Sequence, residues 1–279
     1  PANFCGTNAT KDGKPTASAL AYIPRGPDNS SGGQIFAPES AWGPLGGKLF
    51  HFSFGYGTWM MILRDTAEGK RAQGAVVPLP GDFESGAHRG RFSPKDGQLY
   101  VTGADGWGNY ATADGDFVRV RHRGGETLLP TAWQAHRNGL VVEFAEPVDP
   151  ASLSPEQCFA QMWNYEYADA YGSLEWSVKI PTAPGHDPLP VKSARVLEGD
   201  GRRVFFEIPD LEPAMQMQLF AKLKSASGKA MTLDMYPTLL WLRDDFTSYP
   251  GYARAGSEKP LDLQLRIQWP VPFRPKHPP

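Results

Sequence analysis

The chain has 279 residues, with 28 Lys plus Arg against 30 Asp plus Glu, for a net charge of −2 at pH 7. That balance leaves no electrostatic footprint for nucleic acid or an anionic membrane surface. No apolar run approaches the ~20 residues of a transmembrane segment. Hydrophobic residues, at 41%, suffice for a core, and 30 Gly and 27 Pro scattered between short apolar runs call for many turns and short strands.

The chain opens "PANFCGTNAT", with no initiator Met, basic n-region or apolar h-region. Either a targeting segment has been removed or the sequence is a piece of a longer chain. Residues 1–30 are polar and turn-rich. "GQIFAP" then gives a short strand. "KLFHFSF" alternates Leu49, His51 and Ser53 against Phe50, Phe52 and Phe54, a period of two with one strongly apolar side. "TWMMILRD" is an apolar run of strand length, joined to it by the hairpin signal "FGYG". "GAVVPLP" reads as a strand whose prolines place it at an edge or mark its end. "HRGRFSPKDGQLYVTGADG" supplies two strands about Asp96-Gly97, and "GDFVRVRHRG" a closing one.

After "GGETLLPTAW" the pattern shifts. "NGLVVEFAEPVDPASL" is a strand and a Pro-bounded turn, and "EQCFAQMWNYEYADAYGS" is aromatic-rich. "VKSARVLEGDGRRVFFEIPDL" is a hairpin. "AMQMQLFAKLKSASGKAMTLDMY" alternates in Met217, Leu219, Ala221 and Leu223, which favours strand over helix although the residue types suit both. The tail "QWPVPFRPKHPP" is extended. The fold class is therefore all-β. Residues 1–128 carry strands at the spacing of β-propeller blades. Residues 129–245 suit an immunoglobulin-like β-sandwich, and 246–279 form a Pro-rich extension.

Several chemistries have no motif here. There is no CxxC, CxxCH or zinc-type Cys/His spacing, no nucleophile elbow, no P-loop and no dinucleotide fingerprint. Cys5 and Cys158 are the two cysteines, and spacing alone does not decide between a disulfide and two separate thiols.

An ordered set of segments carries a family resemblance: "WGPLGGKLFHFSFGYG", "HRGRFSPKDGQLYVTGADGWGN", "GDFVRVR", "VVEFAEPVDPAS", "MWNYEYADAYGS" and "IPDLEPAMQMQLFAKLKSASG". Together they resemble the C-terminal part of large secreted bacterial proteins of planctomycete and verrucomicrobial type. Those proteins have a sugar (sorbosone/glucose) dehydrogenase-like β-propeller followed by a small β-sandwich. The resemblance covers most of residues 25–242 and implies a periplasmic or extracellular setting. A six-bladed propeller needs roughly 250 residues at ~40–50 per blade. About half that number precede the sandwich, so this chain is expected to supply two or three blades. Another polypeptide is then expected to cover the sheet edge near residues 1–40.

The resemblance also implies that Arg89 and Arg91, an Arg-x-Arg before the "DGQLYV" hairpin, contact the carboxylates of pyrroloquinoline quinone. Residues i and i+2 of a strand share a side and could fork onto a tricarboxylate. The alternative is a pair of surface arginines matched to nearby carboxylates. His51 could line a channel as a catalytic base, or be a half-buried hydrogen-bonded side chain. His88 adds to that cluster. Asp105, Asp114 and Asp116, in a Gly-rich loop, are the candidate Ca²⁺ ligands, against a reading as turn-forming Asx residues. Trp163, Tyr165, Tyr167, Tyr171 and Trp176 could stack on carbohydrate or form an interface, with Tyr171 and Trp176 the exposed members, or else bury one sandwich face.

Two functions follow. The first is a secreted, non-catalytic binding or structural segment of a larger assembly, contacting a partner polypeptide or carbohydrate. The second is the C-terminal portion of a quinone-dependent sugar dehydrogenase. They differ in whether Arg89, Arg91 and His51 converge on one concave pocket.

Overall fold

The computed structural model describes residues 19–106, 108–165 and 172–249. Cys5, Tyr167, Tyr171 and the Pro-rich tail beyond residue 249 lie outside them. The described chain is all-β, as expected. Strands β1 (Ser31–Phe36), β2 (Leu49–Ser53), β3 (Thr58–Asp65) and β4 (Gln73–Pro78) form an antiparallel meander, and β5 (Gly86–Phe92), β6 (Leu99–Ala104) and β7 (Gly115–Val120) form a second. After them come β8 (Pro130–His136), β9 (Gly139–Phe144), β10 (Cys158–Tyr165), β11 (Glu175–Trp176) and β12 (Asp187–Leu189). The last four are β13 (Ser193–Val196), β14 (Arg203–Glu207), β15 (Gln216–Lys224) and β16 (Ala230–Pro237).

Three sheets result. The largest has the order β1-β2-β3-β4-β16-β15-β10, with β11 and β12 on the far side of β10. A four-stranded sheet has the order β13-β14-β9-β8, and β5-β6-β7 stands as a third. The expected division near residue 128 falls between β7 and β8. Strands from both sides of it share the large sheet, because β4 pairs with β16 through Val76↔Tyr236 and Ala75↔Pro237. Residues up to Phe246 form one compact unit, with one hydrophobic cluster running from Ala37 to Leu239. The prolines of "GAVVPLP" mark the strand's end: Pro78 is the last residue of β4, which is an interior strand.

The alternation in "KLFHFSF" explains the packing of the first meander. Phe50 and Phe52 are fully buried. Trp42 lies edge-on to Phe50, Trp59 and Phe92, with ring centroids 5.3–6.3 Å apart, and its indole N–H donates to Gly97 O at 2.9 Å. Gly90 lets β5 approach, since a Cβ there would sit 2.5 Å from the Phe52 ring. Gly97 closes the β5–β6 turn at φ +66°, a conformation that suits glycine. His51 and Ser53, on the other side of β2, are also buried. This strand is therefore covered on both faces, which the alternation alone did not reveal.

The chain end of this unit is fastened across the sheet junction. Arg243 forks onto Asp65 with two N–O contacts of 2.7 Å, and its guanidinium lies 4.7 Å from the Trp241 ring centroid. Gln73 donates to the same carboxylate at 2.9 Å and accepts from the backbone N–H groups of Leu240 and Trp241. The Trp133 indole N–H donates to Leu63 O at 3.1 Å, tying β8 to β3. Cys158 is a free thiol, and burial, helped by Glu156, pushes its pKa up to about 11. It is a poor nucleophile at neutral pH.

Asp65 is 3% exposed, and removing its cation would strand a buried charge. Arg243→Met is expected to lose about 3 kcal/mol of unfolding free energy, and Asp65→Asn combined with Arg243→Met to lose less. Urea denaturation of the two variants checks this, and a fall confined to the double variant would refute it.

Candidate functional site

Three adjoining concavities lie along one face of the large sheet, with volumes of about 600, 500 and 410 Å³. The first two share Arg25, Ser173 and Glu175, and the second and third share Gly26, Pro27 and Tyr236. Every one of them is bounded in part by the segment 19–27. They therefore form one cleft beneath a common strap.

The floor comes from the odd-numbered side of β10 and the even-numbered side of β15 and β16. Ala160, Met162, Met217, Leu219, Leu233 and Met235 join the core. Alternation then turns Gln161, Trp163, Tyr165, Gln216, Gln218, Asp234 and Tyr236 to the opposite face. Gln161 Nε2 donates to Gln218 Oε1 at 3.0 Å. Gln218 Nε2 in turn donates to Asp234 Oδ1 at 2.9 Å and to the Tyr236 hydroxyl at 3.0 Å. The Tyr236 hydroxyl donates to Asp234 Oδ2 at 3.1 Å. Burial, the Asp234 charge and that hydrogen bond hold the Tyr236 phenol well above its ordinary pKa. Burial also raises Tyr165. Both phenols stay neutral; Tyr236 gives its proton to Asp234, and Tyr165 keeps an O–H to donate.

The strap is pinned by one carboxylate. Asp28, 7% exposed, accepts from His51 Nε2 at 2.8 Å, Ser53 Oγ at 2.6 Å, Ser31 Oγ at 2.8 Å and the Ser30 backbone N–H at 3.0 Å. Burial opposes its ionisation. The hydrogen bonds from His51, Ser53, Ser31 and Ser30 outweigh that cost and hold its pKa below the ordinary value. The Tyr22 N–H donates to Thr238 Oγ1 at 2.8 Å, and the Tyr22 ring meets Tyr165 edge-on at 5.7 Å.

A second boundary runs through residues 173–187. Asp187 accepts from Ser177 Oγ and from the backbone N–H groups of Val178 and Lys179 at 2.6–3.0 Å. This fixes the loop that carries Glu175. Glu175 Oε2 lies 2.7 Å from His186 Nε2, and the His186 ring stacks on Trp163 at 4.0 Å with the planes 9° apart.

The residues singled out in the sequence occupy different places. His51 borders the first concavity but is 2% exposed. Both its ring nitrogens are engaged, Nε2 with Asp28 and Nδ1 with Gln34 Nε2 at 3.1 Å. Arg89 and Arg91 are exposed on β5 and line none of the three concavities. Each donates to a neighbouring backbone carbonyl, at 2.8 and 2.7 Å. They do not converge with His51, and the three residues do not fit a pocket for pyrroloquinoline quinone. His88 is exposed beside Phe54.

Asp105 caps the backbone N–H of Gly106 at 2.8 Å, and Asp116 accepts from Ser85 Oγ at 2.6 Å. With Asp114 they do not form a metal-holding cluster, and no such group of three occurs among the described residues. Trp176 is half-buried beside Asn164 of β10. Trp163 is buried, but under His186 rather than in the hydrophobic core cluster. The "MQMQ" alternation and the odd-numbered aromatics of β10 carried the signal for the floor. The approach of Asp28, Glu175 and His186 had none, being set by contacts distant in sequence.

No family model matches the chain, and no curated protein matches it. Among solved structures, a fungal alcohol oxidase of the AA5 family in complex with copper is similar at a TM-score of 0.19 and 10% identity. The similarity spans 75% of this chain and 54% of that chain, about half its length. A likeness that slight carries no argument about fold or activity.

Because the folded pKa of Asp28 lies below the ordinary 3.8, its contribution is fully present above that value and is lost as pH falls from it through the lower folded pKa. Asp28→Asn should cost about 2 kcal/mol at pH 7 and flatten the fall in stability below about pH 4. Thermal melts of both proteins across that range test this, and parallel pH profiles would refute it.

Proposed function

We propose that this chain is a non-catalytic binding segment of a larger secreted assembly and that the cleft beneath the strap takes neutral carbohydrate. The observation that carries the reading is the floor itself. It is a ladder of amides and neutral phenols, Gln161, Gln218 and Tyr236, with Tyr22 and Tyr165 beside it. Amides and phenols both give and accept hydrogen bonds, as sugar hydroxyls do, while aromatic rings accommodate the apolar faces of the sugar. The floor's carboxylate, Asp234, is held by Gln218 and Tyr236.

The strand orders support the finer fold reading. β8-β9-β14-β13 and β16-β15-β10 correspond to the ABED and GFC sheets of an immunoglobulin-like sandwich. The two N-terminal meanders are compatible with propeller-type blades. β1 ends the large sheet, and its Phe36 is 58% exposed. Both facts favour a partner polypeptide on that edge. The secreted setting, periplasmic or extracellular, rests on the family resemblance. No helix among the described residues is long and apolar enough to cross a membrane. The quinone-dependent dehydrogenase is the weaker reading, because Arg89 and Arg91 stand apart from the concavity at His51.

Calorimetric titration with cellobiose, maltose, xylobiose and mannobiose tests the proposal. At least one should bind. Gln218→Ala should weaken that binding about tenfold, as loss of buried hydrogen bonds does, and Arg89→Ala with Arg91→Ala should leave it unchanged. Quinone binding abolished by the arginine substitutions, with no sugar bound, would favour the dehydrogenase instead.

A further inference from the structure

Two buried polar atoms at the cleft lack a hydrogen-bond partner among the described residues: the indole Nε1–H of Trp163, a donor, and Oε1 of Gln216, an acceptor. Their residues are 3% and 4% exposed. They are also directly opposed across β10 and β15, so their Cβ atoms lie roughly 5 Å apart on the same face. Trp163 borders the second concavity and Gln216 the first, and these are the two that share Arg25, Ser173 and Glu175. Buried donors and acceptors in folded proteins are nearly always paired. The donor and the acceptor lie side by side on the cleft face of the sheet, at the boundary of two adjoining concavities, and a ligand there can satisfy both.

We infer that Trp163 and Gln216 together read neighbouring hydroxyls of a neutral sugar ring, one accepting from the indole N–H and the other donating to the amide carbonyl. The inference rests on the carbohydrate reading above and narrows it to two recognition atoms. The amide orientation is fixed by its other end. Gln216 Nε2 faces the Tyr22 carbonyl at 3.5 Å, and the flipped amide would set two carbonyl oxygens against each other. The indole cannot turn either, because His186 is stacked on its face at 4.0 Å and is itself held by Glu175. One face of Trp163 is thus covered, and it serves through its N–H.

The pair also states what it rejects. A carboxylate could accept from the indole but would face the Gln216 carbonyl oxygen. An ammonium could donate to that oxygen but would face the indole N–H. A hydroxyl can do either, and a sugar ring brings two side by side.

The test uses the same four disaccharides on the whole chain, with Trp163→Phe and Gln216→Leu. Each substitution deletes the orphan atom and keeps an apolar group in its place; Gln216→Leu also removes Nε2. Gln216→Leu removes the unpaired acceptor together with the long 3.5 Å contact from Nε2 to the Tyr22 carbonyl, so its melting temperature should stay close to that of the wild type while sugar binding weakens about tenfold. Trp163→Phe should weaken it similarly. Independently, the indole N–H resonance of Trp163 in ¹⁵N-labelled wild-type protein should shift on saturation with the bound disaccharide, and its exchange with water should slow. If a disaccharide binds the wild type but both variants bind it equally and the indole resonance stays put, water fills these positions. This inference then fails while the carbohydrate reading stands. If none of the four binds, both fall.

Discussion

The Asp28 carboxylate is the point on which the cleft depends. A buried charge is costly unless its lone pairs are filled, and here His51, Ser53, Ser31 and the Ser30 N–H supply the donors. Two of those side chains belong to β2, so the turn at 24–28 cannot move without uncovering the strand. Because the strap bounds all three concavities, a carboxylate away from the floor sets the shape of the space above it. His51 acquires a clear role here: its Nε2 holds the Asp28 that pins the strap, and its Nδ1 is engaged by Gln34 of β1.

The second constraint is the continuity of the large sheet. β4 and β16 meet through two residue pairs, a short contact for strands that lie about 160 positions apart in sequence. The Arg243–Asp65–Gln73 cluster reinforces that junction, and the shared hydrophobic cluster makes the two halves one body. That junction and the Tyr22 contacts to Thr238 and Tyr165 together set the floor on β10, β15 and β16 against the strap, whose other end is pinned on β2.

Much of this fold was legible in the sequence because it is local. "TWMMILRD" coincides with β3, and the Asp96-Gly97 turn joins β5 to β6. The alternation in "MQMQLFAKLK" gave β15 as a strand despite its helix-forming residues, since period two places its apolar side on the core. The site was less legible. The sequence drew attention to charged groups, Arg89, Arg91 and the loop aspartates, which the structure places apart from the cleft. The floor amides looked ordinary, because nothing local says that a strap and a loop will cover them. Trp163 was visible as a large aromatic, but its importance lies in an unpaired N–H that only the tertiary arrangement creates.

Hydrogen–deuterium exchange with and without the disaccharides tests the central claim most directly. The account predicts slowed exchange in 19–31, 158–165 and 216–218 on adding a bound sugar, and no change across β5–β7. Protection confined to β5–β7, or none anywhere at saturating sugar, would contradict it.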